Sequence, residues 1–273
     1  MKINFNLHNT VYSCDTSKPI EISIPVMFNS EQPNTYNVDK ATANAYEAGD
    51  FIGDTRRGGG CNFEEYRIIP HCNGTHTECV GHISLERISV NEILKESFFL
   101  SKLITVTPEK ATDTIDNYSP DKNENDLIVT RKLLQEKLEE TKTHFPDALV
   151  IRTLPNDDSK RSRNYMENLP PFFSLEAMEY IRSLNVQHLL IDIPSVDRTF
   201  DEGKLSTHHI YWGVEQGSHE VSKKKHSLKT ITEMIYVPEK ITDGDYLLNI
   251  QIPDFVADAA PSRICLFRLM KQG

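Results

Sequence analysis

The segment Ile20–Phe28, IEISIPVMF, alternates apolar and polar side chains with the two-residue period of a half-buried strand, and the polar SEQPN after it reads as a turn. MKINFNLHNTVYS at the N-terminus alternates in the same way, and Glu65 to Ile69 reads as a further strand. The chain up to Arg56-Arg-Gly-Gly-Gly60 is therefore expected to be strands and turns, with the glycine run a mobile loop. TPEKATDTIDNYSPDKNENDL, residues 107–127, has no apolar period and reads as a surface loop. The period then lengthens. Thr130 is placed to cap a helix with Leu133, Leu134 and Leu138 on one face, ending near His144-Phe145-Pro146. ALVIRT (148–153) follows as a buried strand. Ser174 caps a second helix lined by Ala177, Met178, Ile181 and Leu184, and HLLIDI (188–193) is the strand after it. Helix, strand, helix, strand predicts α/β layering. The β pattern returns in YLLNIQIPDF (246–255) and RICLFRL (263–269), and EQGSHEVSKKKHS (215–227) stands before them as a polar insertion. No internal repeat is visible.

With 273 residues the chain is long enough for a full core, and one domain carrying an insertion is the expectation. A net charge of −10 argues against nucleic-acid binding, which needs a basic surface; the short run Lys223-Lys224-Lys225 reads as solvated loop. There is no continuous apolar core of a signal peptide and no run near the ~20 apolar residues that span a bilayer, so a cytoplasmic protein without a membrane partner is expected. Five cysteines, an odd number without a secretory signal, point to reduced thiols, and Cys14 and Cys265 read as small core hydrophobes.

Chemistry concentrates in His71-Cys-Asn-Gly-Thr-His-Thr-Glu-Cys-Val-Gly-His82. Three of the ten histidines stand there with a carboxylate and two thiols, the donor types that bind zinc and related metals. On a strand His76 and Glu78 point to one side, and His82 returns from the turn beyond. Thr207-His-His-Ile-Tyr-Trp212 and Glu233 offer further ligands. Asp192, Asp197, Asp258 and Arg263 read as buried ion-pair or turn residues that shape a site, Ser195 has no sequence-local base, and His219 and His226 of the insertion read as solvated.

These residues resemble the metal-dependent cyclase family, which includes bacterial kynurenine formamidases and isatin hydrolases. The family signature H-x-G-T-H-x-D-x-P-x-H is matched in spacing by Cys72, Gly74, Thr75, His76, Glu78 and His82. DTSKPI (15–20) is similar to the family's opening D-[IL]-S-x-P-[IL], and ALVIRT to its central strand. IDIPSVD (191–197) and DAAPSR (258–263) resemble I-D-x-x-S-x-D and D-G-S-P-x-R. THHIYW and TEMIYVPEKI (232–241) resemble H-x-x-L-L and a glutamate-bearing helix. The chain departs from the pattern in having cysteine at 72 where the family has histidine, glutamate at 78 for aspartate and valine at 80 for proline. An insertion also separates His208 from Glu233.

The resemblance implies an α/β, swivelling β/β/α fold with a barrel-like central sheet and flanking helices, and a site for one or two divalent metals. It implies Cys72, His76 and Glu78 as ligands of the first metal, Glu78 as a bridge, and His208 and Glu233 as ligands of the second, with His82 as proton carrier. The sequence alone separates neither His209 from His208 nor His71 from Cys72, although on a strand neighbours face opposite ways. A thiolate at 72 would favour Zn2+ over Mn2+. The activity implied is hydrolysis of a small amide or related carbonyl compound in the manner of arylformamidases. A lyase or dehydratase using the same metal, and a zinc-binding protein without turnover, are the alternatives. A homodimer or higher homo-oligomer is implied by the same resemblance.

Overall fold

The computed structural model describes residues 1–7, 10–138 and 146–271. Nine strands form a curled, half-barrel central sheet. Numbered within that sheet they are β1 (Ile20–Glu21), β2 (His76–Cys79), β3 (Phe98–Val106), β4 (Ala148–Thr153), β5 (His188–Ile191), β6 (Thr230–Glu233), β7 (Gly244–Gln251), β8 (Ala259–Pro261) and β9 (Arg263–Arg268). Their order across the sheet is β8-β2-β6-β5-β4-β3-β7-β9-β1. The helices are α1 (Pro70–Asn73), α2 (Val90–Ile93), α3 (Arg131–Leu138), α4 (Leu175–Ser183) and α5 (Ser206–Trp212). The fold is α/β, as the alternation of periods predicts.

Strands β3, β4, β5 and β6 are parallel neighbours, and α3, α4 and α5 lie in the connections between them. Parallel strands need such crossovers, which leave both sheet faces covered. All six residues of β4 are accordingly buried. Leu149 and Ile151 pack with Leu134, Leu138, Met178 and Ile181 of the helices, while Val150 packs with Leu103, Leu248 and Leu266 in a second core. Each fully buried side chain of this size contributes roughly 1.5–3 kcal/mol. Ser174 caps α4 by accepting a hydrogen bond from the Ala177 N–H at 2.9 Å, and Thr130 meets the Leu133 N–H at 3.4 Å. The expected end of α3 near residue 144 lies outside the described residues.

Four expectations change. Only Ile20–Glu21 of the Ile20–Phe28 segment joins the sheet as a strand; beyond it the Ile22 N–H still donates to the Ile264 carbonyl and Ser23 makes an isolated bridge to Ile235, and Ile22 and Ile24 remain buried. The N-terminus forms two antiparallel strands, Lys2–Leu7 and Thr10–Asp15, where one was expected. The strand before the motif stops at Arg67, and Pro70–Asn73 is a helical turn, with Pro70 in the first-turn position that proline favours. Glu233 stands on β6, not on a helix: Thr230–Glu233 is rich in β-branched residues and pairs with β5 and β2. No helix among the described residues is long and apolar enough to cross a membrane.

Candidate metal centre

Strand β2 lies antiparallel between β6 and β8, with His76 opposite Glu233 and Glu78 opposite Ile231. His76, Glu78 and Glu233 therefore share the face carrying Ile231, which packs with the helices. Thr77 points the other way, its hydroxyl 2.8 Å from that of Thr232. Glu233 ends a parallel strand, and the loop after β5 supplies Asp197 and leads into α5 with His208. Ligand sites of α/β folds form at such carboxyl ends.

Glu78 is fully buried and is the hub. His208 Nε2 lies 2.9 Å from its Oε1, His71 Nδ1 3.1 Å from its Oε2, and His82 Nδ1 3.8 Å from its Oε2. Burial pushes the Glu78 carboxyl up, but His82, His208 and His71 outweigh it and hold it well below the usual carboxylate range. His208 is raised well above the ordinary imidazole value because Glu78 and Asp197 overcome its own desolvation. His71 is likewise pushed up to about 10: burial opposes protonation, but the hydrogen bond to Asp258 and the neighbouring Glu78 carboxylate prevail.

Three of the four histidines have one ring nitrogen tied to an outer acceptor and the other turned toward Glu78 or Glu233. His208 Nδ1 meets Asp197 Oδ2, His71 Nε2 lies 3.0 Å from Asp258 Oδ2, and His76 Nδ1 lies 3.0 Å from the Gly74 carbonyl oxygen. His76 Nε2 then faces Glu233 Oε2 at 3.4 Å, with Glu233 Oε1 accepting from the Val196 N–H. Metal-binding imidazoles are oriented in this way, through a carboxylate or carbonyl on the far nitrogen. His82 differs. It sits in the turn after β2, partly exposed, with Nδ1 3.5 Å from Asp258 Oδ2.

The fully buried His76 Nε2 and Glu78 Oε2 have no hydrogen-bond partner among the described residues. The 3.1 Å approach of His71 to that oxygen is not aligned as a hydrogen bond. With Nδ1 donating to the Gly74 carbonyl, His76 Nε2 carries a lone pair aimed at a carboxylate. A buried lone pair facing the Glu233 carboxylate, beside a second buried carboxylate oxygen without a hydrogen bond, is costly unless a cation lies among them. The donor set thus fits a divalent metal.

The structure brings His76, Glu78, His208, Glu233 and His82 together. His71, His76 and Glu78 offer ligand atoms all within 4.8 Å of one another, as do Glu78, His82 and His208, and His71, His82 and Asp258. Cys72 belongs to none of these groups; it is buried, and burial together with the Glu233 charge pushes its thiol up to about 11. His209, one residue past His208 on α5, is turned away, its ring 6.2 Å from that of His219.

Asp197 is buried against the His208 ring, and Asp192 forms a buried pair with Lys160 at 2.7 Å. Arg263 is exposed and pairs with Glu21, so it shapes nothing here. Asp258, partly exposed, touches two of the site's histidines. His219 is not merely solvated: its Nδ1 lies 2.8 Å from the Ile83 carbonyl oxygen and its own carbonyl accepts from the Leu85 N–H, tying the insertion to the turn that carries His82. One contributor escapes sequence reading: the Tyr118 hydroxyl donates to Asp197 from the polar 107–127 loop at 2.7 Å.

The family model named Cyclase matches residues 14–198. No curated protein matches the sequence. Among solved structures, the chain is similar to a protein described as a potential metal-dependent hydrolase with cyclase activity, at 16% identity and a TM-score of 0.59, over 92% of this chain and 97% of that one. It is similar to a predicted metal-dependent hydrolase from Bacillus stearothermophilus at 17% identity and a TM-score of 0.54, over 92% and 98%. Isatin hydrolase A from Labrenzia aggregata aligns at 12% identity and a TM-score of 0.60, over 92% and 93%.

Proposed function

We propose that this chain, which belongs to the cyclase family, is a metal-dependent hydrolase of a small amide or related carbonyl compound. The observation that carries this reading is the pair of buried atoms, His76 Nε2 and Glu78 Oε2, that have no hydrogen-bond partner among the described residues, set among histidines anchored from behind. His76, Glu78, His208 and Glu233 would hold one or two divalent ions. A bound divalent metal supplies a water of lowered pKa and a polarised carbonyl. Structures similar to this chain are named as metal-dependent hydrolases, which supports the same class of chemistry here.

The protein's own part is proton transfer and positioning. His82 is partly exposed and its Nδ1 lies close to Glu78 and Asp258, which places it to take a proton from the nucleophile and deliver it to the leaving nitrogen. Asp197, receiving hydrogen bonds from Tyr118, Thr207 and His208, fixes the His208 ring. The test is metal analysis of wild type and His76→Ala, together with turnover on a panel of formamides, lactams and lactones. Stoichiometric metal in wild type, its severe loss in the variant, and hydrolysis of a C–N bond are expected. Full metal occupancy in His76→Ala overturns the site, and elimination of water from a hydroxylated carbonyl compound in place of hydrolysis overturns the reaction.

A further inference from the structure

We infer that His71, anchored by Asp258, takes the metal-ligand position that the family pattern gives to residue 72, and that Cys72 lies beside the metal without binding it. The inference rests on the metal-centre reading above and concerns which side chain completes it.

The backbone is the first reason. Neighbours on a strand face opposite ways, but Pro70–Asn73 is a helical turn, where successive side chains are only about 100° apart. The turn is pinned: the Asn73 side-chain oxygen accepts from the Ile69 N–H at 2.8 Å, and the Asn73 N–H donates back to the Ile69 carbonyl at 3.0 Å. Sliding the ligand by one residue is therefore a rotation of about 100° about the turn rather than a change to the opposite face, and the sequence supplies an imidazole at the preceding position.

Geometry is the second. His71 Nδ1 stands 3.1 Å from Glu78 Oε2, and the His71 ring centre is 5.0 Å from that of His76. The Cys72 sulfur joins His76 and Glu78 in no such group among the described residues.

Wiring is the third. His71 Nε2 lies 3.0 Å from Asp258 Oδ2, as His208 Nδ1 meets Asp197 and His76 Nδ1 the Gly74 carbonyl. A proton held on Nε2 by Asp258 leaves the Nδ1 lone pair facing inward, the carboxylate–histidine–metal arrangement. Asp258 is thereby a positioning residue for a ligand. The resulting donor set, His71, His76, Glu78, His208 and Glu233, is nitrogen and oxygen throughout, so the argument for zinc from a soft thiolate no longer applies.

Cobalt(II) titration of the metal-stripped full chain reads the ligand directly, because a cysteine thiolate bound to cobalt gives an intense near-ultraviolet charge-transfer band that imidazole and carboxylate do not. The expected result is stoichiometric cobalt binding without that band, unchanged in Cys72→Ser. Cobalt affinity should fall roughly 10–100-fold in Asp258→Asn, the usual cost of losing such a partner, and at least as far in His71→Ala. A charge-transfer band in wild type that vanishes in Cys72→Ser, with binding unaffected in His71→Ala, assigns the ligand to Cys72 and overturns the inference while leaving the metal centre standing. A chain that binds no cobalt overturns both.

Discussion

Replacing Asp197 by asparagine isolates what the carboxylate does behind His208. Asp197 is 2% exposed. Its Oδ1 accepts from the Tyr118 hydroxyl, the Thr207 N–H and the Thr207 hydroxyl, each at 2.7 Å, and its Oδ2 accepts from the His208 N–H at 3.2 Å and from His208 Nδ1. Burial raises the carboxyl pKa, but the hydrogen bonds from His208, Tyr118 and Thr207 win and keep it ionised, below its ordinary range. In Asp197→Asn the amide oxygen can keep the three bonds at Oδ1, which places the NH2 group against two donors. One charge-assisted hydrogen bond is lost, about 1.5–3 kcal/mol, and the His208 N–H is left unsatisfied, about 1–3 kcal/mol. The total, roughly 2.5–6 kcal/mol, is a large part of the ~5–15 kcal/mol that holds a typical protein folded.

The variant also changes the His208 tautomer. Nδ1 can accept from the new NH2 group only if its proton moves to Nε2, the atom facing Glu78 Oε1 at 2.9 Å, and a protonated Nε2 cannot bind metal. Metal affinity should therefore fall about 10–100-fold, which is roughly 1.4–2.7 kcal/mol. Denaturant unfolding of the metal-free chain measures the first effect, and chelator competition the second. Tyr118→Phe is the control, since it removes one bond at Oδ1 and leaves the tautomer alone. It should lose about 1–3 kcal/mol of stability with metal affinity unchanged. If Asp197→Asn keeps wild-type metal affinity, or Tyr118→Phe loses it equally, the tautomer argument is refuted.

Other consequences are as specific. His208→Ala should strip metal while His209→Ala keeps it, read by metal analysis of the folded variants; equal retention in both removes α5 from the centre. His82→Ala should keep its metal and lose about 10²–10⁴-fold in turnover, and parallel loss of metal and activity would make His82 a ligand. His188, buried against Phe99, has its pKa lowered to about 4 by desolvation and by Lys229, so the unfolded chain, with an ordinary histidine, binds the proton more readily. Its contribution is present above about pH 6.5 and is lost as the pH falls through about 4, up to roughly 3 kcal/mol for a shift of this size. Denaturant unfolding at pH 7 and 4.5 should show wild type losing more stability than His188→Gln, and equal losses would contradict the assignment.

The parts of this molecule legible in the sequence are those where local period and burial coincide. Leu149 and Ile151 could be placed because a fully buried parallel strand must be apolar throughout, and Ser174 because a cap is a local hydrogen bond. His76 and Glu78 were legible as one face because β2 has a period of two. His71 was not, since its direction depends on whether residues 70–73 are strand or helix, a choice made by Pro70 and by the Asn73–Ile69 hydrogen bonds. Glu233 was expected on a helix because a pattern was carried over across an insertion, whereas its β-branched neighbours Thr230, Ile231 and Thr232 fit the strand found. Asp258 and Tyr118 act through contacts spanning 187 and 79 residues, for which no local signal exists.

The most direct measurement of the central claim is C–N bond hydrolysis by the same preparation before chelation, after chelation, and after divalent metal is restored. The account predicts turnover that disappears on stripping and returns as one or two equivalents of metal are added, in wild type but not in Glu78→Gln, whose altered carboxylate is the hub of the centre. Hydrolysis that continues undiminished in fully stripped protein, or that survives in Glu78→Gln with wild-type metal content, would contradict it.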